Sequence, residues 1–163
     1  MKELRAYQYN HFISAPIDLV YECLHKDKHV LKWNTMIVEH IYEGSEDEIT
    51  AGSTFISKQK LGKKIYTLDA EVLVHEPPYK IAMKTVTNEG TSFTRYQLVE
   101  SDNGTELSVE ASLIPKNVYY SIVGRLTLWL SKFVFLEQYE AFIQYVYDQQ
   151  KRNLSPRPTK TKQ

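Results

Sequence analysis

The chain has 163 residues, of which 42% are hydrophobic and 25% charged, the mix of one globular domain of ordinary size. Lys plus Arg is 20 and Asp plus Glu is 20, so there is no basic excess to release counterions from phosphates, which argues against a nucleic-acid partner. A single cysteine, Cys23, leaves no intrachain disulfide and suits a reducing cytoplasm.

The residues from Met1 to Tyr7 lack the apolar stretch of a secretory signal. A strand is predicted over 5–14, rich in aromatics, and it breaks at Ser14-Ala15-Pro16. Ser14 reads as a helix N-cap and Pro16 as a first-turn residue. Val20, Tyr21 and Leu24 then share one face of a short helix, and a second short helix holds Val30, Leu31 and Trp33.

Beyond Met36 the pattern changes to period two. Strands are predicted over 36–43, 53–61, 64–76, 79–87, 91–100 and 105–113. Leu61-Gly62-Lys63, Asn88-Glu89-Gly90 and Asp102-Asn103-Gly104 supply turn residues, and Glu76-Pro77-Pro78 stops a strand. Links this short make consecutive strands antiparallel neighbours. Alternation assigns the faces. Tyr66, Leu68, Ala70, Val72 and Val74 point one way, and Thr67, Asp69, Glu71 and His75 the other. Leu107, Val109, Ala111 and Leu113 likewise oppose Glu106, Ser108, Glu110 and Ser112. One face is apolar and covered, the other wet.

The cover is a helix capped by Asn117 and running to about Lys151, roughly 50 Å at 1.5 Å per residue. No integral membrane span is expected, because Arg125, Lys132, Glu137 and Glu140 interrupt this most apolar region. Residues 1–151 read as one domain and 152–163 as a disordered basic tail. Leu128, Trp129, Phe135 and Leu136 exceed what one packed helix face needs. A homodimer through this helix, a membrane-surface contact and extra contacts within the domain all stay open.

The order strand, two short helices, six strands, long helix carries a resemblance. So do Ile13-Ser14-Ala15-Pro16, Trp33, Gly52-Ser53-Thr54-Phe55, Glu76-Pro77-Pro78-Tyr79-Lys80-Ile81 and Asp102-Asn103-Gly104-Thr105-Glu106-Leu107. The chain resembles the START-like superfamily, which includes the pollen-allergen type proteins and the bacterial polyketide cyclase/dehydrase-like proteins. The fold implied is α+β of the helix-grip type: a curved antiparallel seven-stranded sheet wrapped around a long C-terminal helix, with two short helices after the first strand. The function implied is binding of a small hydrophobic molecule, a lipid, polyketide or similar, between the sheet and that helix. Some members of the superfamily are enzymes, so a cyclase/dehydrase-type activity stands as an alternative. The chain resembles less closely the Hsp90-ATPase activator domains, partner-binding modules that usually carry a doubled tryptophan after the second helix. Here Trp33 is followed by Asn34, which counts against that subfamily.

Phe55, Tyr66, Leu68, Met83, Tyr96 and Leu98 are expected on the concave face, as cavity lining or as core. Leu126 and Leu130 are expected to line the cavity from the long helix, with Tyr42 on the same strand as His40. His40 reads as a general base or ligand donor, or more simply as a part-exposed edge-strand histidine. Trp33 reads as a packing anchor or as a cap on the cavity mouth. His25 and His29 have zinc-type spacing but lack a convincing third ligand, so they read as exposed histidines. Cys23 reads as a buried small hydrophobe. No cofactor and no metal is expected.

Overall fold

A computed structural model describes residues 2–154. Strand β1 (Leu4–Ile13) is followed by helices α1 (Ile17–His25) and α2 (Asp27–Trp33). Six strands come next: β2 (Ile37–Tyr42), β3 (Thr54–Leu61), β4 (Lys64–Glu76), β5 (Lys80–Val86), β6 (Gly90–Ser101) and β7 (Gly104–Pro115). Helix α3 (Val118–Leu154) completes the order, ending slightly beyond the predicted Lys151. The basic tail that the sequence suggests lies, from 155 onward, outside the described residues.

The seven strands form one sheet in the order β1-β7-β6-β5-β4-β3-β2, every neighbouring pair antiparallel. This is the helix-grip arrangement. Asn117 caps α3 as expected, its side-chain oxygen accepting from the Tyr120 N–H at 3.1 Å. Ser14 does not cap α1. Pro16, extended at ψ 143°, is the N-cap residue, and Ser14 instead donates its N–H to the Tyr147 hydroxyl at 3.2 Å.

A bulge in β4 corrects the assignment of faces. Val72 pairs with Met83 and Val74 with Ala82, so one extra residue enters β4 between them. Parity reverses there. His75, expected on the wet face, turns to the concave side opposite Ile81, while Val74 leaves it.

The core lies between the β1-β7-β6 side of the sheet and the C-terminal half of α3. Tyr139, Phe142, Ile143 and Val146 are the buried residues of α3, at the three- and four-residue spacing of one helix face. The Tyr139 ring stacks on Tyr7 at 5.7 Å, and its hydroxyl meets that of Tyr96 at 3.0 Å. Trp33 is 4% exposed. It packs edge-on to Phe142 at 4.9 Å and donates its indole N–H to the Cys23 carbonyl at 2.8 Å. It therefore ties α2 to α1 and α3. Cys23 is fully buried, and burial pushes its thiol up to about 12, the behaviour of a small hydrophobe.

Candidate functional site: a cavity under the two short helices

The space that remains open is a cavity of about 310 Å³. It lies between α1 and α2 on one side and strands β2 to β6 on the other, and no residue of α3 lines it. That corrects the expected position between sheet and long helix. The reason is packing: Trp33, Tyr96, Tyr139 and Phe142 are buried in the core cluster beneath α3 and fill the space there.

Six of the expected residues, Trp33, His40, Tyr42, Phe55, Met83 and Tyr96, come together on this cavity. Leu98 is 1% exposed and belongs to the core alone. Tyr66 and Leu68 lie farther along β4, half-buried and away from the cavity. Leu126 and Leu130 are 69% and 50% exposed on the N-terminal half of α3, outside it. Only the C-terminal half of that helix is drawn into the core.

One wall is built on His40. Its Nδ1 lies 2.8 Å from Asp27 Oδ1 and 3.2 Å from the Tyr42 hydroxyl, and its ring packs edge-on to Phe55 at 5.1 Å. β2 is an edge strand, as expected, but His40 is not exposed there: the start of α2 covers it, and its side chain is only 9% accessible. Asp27 supplies the reason, since its backbone N–H is held in turn by Glu46 Oε1 at 2.8 Å. With Asp27 accepting, Nδ1 is the ring nitrogen that donates. Burial, reinforced by the Asp27 charge, raises Tyr42 so far that it remains a neutral phenol.

The opposite wall was not legible in the sequence. Tyr21 and His25, one turn apart on α1, meet at 4.7 Å between ring centroids, and His75 approaches His25 at 6.0 Å. His25 Nδ1 donates to the Tyr21 carbonyl at 2.8 Å. Burial lowers its proton affinity below the ordinary 6.5, only partly opposed by that hydrogen bond. The Tyr21 hydroxyl is buried without a hydrogen-bond partner, and burial pushes it up to about 12. His29 departs from α1 entirely. The chain turns at Lys26, and His29 on α2 binds the Tyr145 hydroxyl at 2.7 Å. Neither histidine is an exposed one, and the zinc-type spacing does not survive the break between helices. Among the described residues no group of three or more His, Cys, Asp or Glu could hold a metal ion.

The cavity is therefore an apolar chamber, walled by Val30, Phe55, Val72, Ile81 and Met83, with histidine and tyrosine groups on two sides. Its rim carries Asp18, Glu22, Glu46 and Asp47, with the Lys26 ammonium paired to Asp47. Among the described residues no helix is long and apolar enough to cross a membrane.

A helix-grip sheet with such a chamber defines a START-like protein. The sequence itself matches the family described as "Activator of Hsp90 ATPase homolog 1-like protein" over residues 14–122, and the chain belongs to that family. This overturns the inference drawn from the missing second tryptophan, since the match stands without it. No curated protein matches the sequence. Among solved structures, protein MLL2253 from Mesorhizobium loti is similar at TM-score 0.65 and 16% identity, over 90% of this chain and 98% of that one. The structure of Ara h 8.0201 is similar at TM-score 0.64 and 11% identity, over 90% and 99%. The di-domain ARO/CYC StfQ of the steffimycin biosynthetic pathway gives TM-score 0.69 and 11% identity over 91% of this chain, which spans 52% of it. At these identities the likeness is one of fold.

Proposed function

We propose that the protein binds a small, mainly apolar molecule in the cavity under α1 and α2, in the reducing setting that a lone buried thiol suits. The observation that carries this is the chamber itself. A void of about 310 Å³ lies at the lower end of small-molecule pockets, roughly 300–1,000 Å³. An apolar void left empty costs stability, roughly 24 cal/mol per Å³ by large-to-small core substitutions, and a ligand offsets that. The polar walls give such a ligand a place for one or two hydrogen-bonding groups. Native mass spectrometry of the purified protein, with organic extraction of bound material, tests the reading. A stoichiometric apolar compound supports it. Failure to retain any compound, together with failure to take up added hydrophobic probes, counts against it.

A second reading rests on His40. A histidine with Nδ1 held by a buried carboxylate and Nε2 free is the arrangement of a general base. On that reading the cavity orients a substrate with an acidic C–H or O–H group, and His40 removes its proton while Asp27 stabilises the imidazolium that forms. Replacing His40 by Gln separates the two readings. A carrier loses little more than one hydrogen bond of affinity, whereas an enzyme loses turnover while keeping substrate affinity.

A further inference from the structure

The N-terminal half of α3, residues 118–136, has two apolar sides. One leans on the sheet: Leu128 and Phe135 are half-buried, the Phe135 ring 5.4 Å from Tyr7, and Gly124 lets the helix come close enough that an added Cβ would lie 3.6 Å from a Leu4 methyl. The other faces away from the domain. Ile122, Leu126, Trp129, Leu130, Phe133 and Val134 are between 47% and 69% exposed. At about 100° per residue they fall within roughly 140° of one another. Arg125 and Lys132, the only charged residues from 118 to 136, both fall outside that arc.

We propose that this outward face of α3 is the contact surface of a homodimer, in which the α3 helices of two copies lie antiparallel against each other. Three observations select a second copy. The stretch is about 28 Å long. Its exposed side chains, with Val118 and Tyr119 on the same flank, offer on the order of 800 Å² of apolar surface, what one partner contributes to a standard stable interface. The arc carries no charge along its length, and charge-poor, aromatic-rich surface is the composition of an interface centre. Trp129, the residue type most often found at such centres, lies near the middle of the stretch. A bilayer-surface helix would instead carry a cationic flank, and only two cations border this face.

The test is light scattering on the eluting full-length protein from about 1 to 100 μM, alongside the double variant Trp129→Glu, Phe133→Glu. Both side chains are exposed in the single chain, so the variant keeps its circular dichroism and its cavity probe binding. The expected result is a dimer for the native protein and a monomer for the variant, with association weakened at least about 30-fold. A native protein that stays monomeric throughout overturns the proposal. So does a dimer that survives the substitutions, which places the contact elsewhere. A monomer that floats with phosphatidylglycerol-containing vesicles only when Trp129 and Phe133 are present assigns the face to lipid instead.

Discussion

Asp27 and His40 form a largely shielded pair across the junction of α2 with edge strand β2, Oδ1 to Nδ1 at 2.8 Å, their side chains 17% and 9% accessible. Tyr42 completes the group, its hydroxyl within 3.2 Å of His40 Nδ1 and its ionisation opposed first by burial and then by Asp27. The pair fixes both the tautomer of a cavity-wall histidine and the position of the helix that roofs the cavity.

Asp27→Ala is expected to destabilise the protein by about 1–3 kcal/mol, because His40 loses its buried acceptor. Asp27→Asn keeps one acceptor oxygen and loses less. Urea unfolding of the three proteins checks this. Equal midpoints would show that α2 is held without the pair.

Tyr96 and Tyr139 make the one hydroxyl–hydroxyl contact beneath α3, at 3.0 Å, and burial raises both phenols above their ordinary range. Tyr96→Phe or Tyr139→Phe alone leaves a buried hydroxyl unpaired and is expected to cost about 1–2 kcal/mol. The double Phe variant removes both partners and is expected to cost less than the sum of the two singles. A double-mutant cycle in urea reads the coupling directly. Strict additivity contradicts the hydrogen bond.

The lowered proton affinity of His25 sets a pH window. A group with a folded pKa below its unfolded value binds fewer protons when folded, so stability rises with pH through the interval between the two. Its contribution is complete above about 6.5, the unfolded value, and is lost as pH falls through the lower folded value. Glu3, Glu22 and Asp47 are also shifted, each held below 4.5 or 3.8 by its cationic partner, so they remain ionised in this window. His25→Gln is therefore expected to flatten the fall in the unfolding midpoint between about pH 7 and pH 5. An unchanged slope assigns the dependence to other groups.

The strand boundaries were readable because turn residues punctuate a period-two pattern, and all seven strands lie within two residues of their predicted ends. Of the six residues that this alternation placed on the concave face, Phe55, Met83 and Tyr96 line the cavity. His75 escaped because a bulge adds one residue without any glycine or proline to mark it, and everything beyond changes face. His25 and His29 were read as exposed histidines near the end of the first helix, but the chain turns at Lys26 and packs one toward the cavity and the other against Tyr145. Leu126 and Leu130 were assigned inward because apolar helix residues usually face their own core. Here the core side was already occupied by Gly124, Leu128 and Phe135.

Under the proposed function, the chamber under α1 and α2 receives a ligand. Val72 faces it from the middle of β4, so Val72→Phe places a ring inside the void. Probe uptake should be compared by native mass spectrometry across a panel of uncharged aromatic and aliphatic compounds, for the native protein and for this variant. The expected result is binding by the native protein, weakened at least about tenfold in Val72→Phe, with thermal stability equal or higher because the void is filled. Equal binding by both proteins would place the ligand elsewhere and contradict the account.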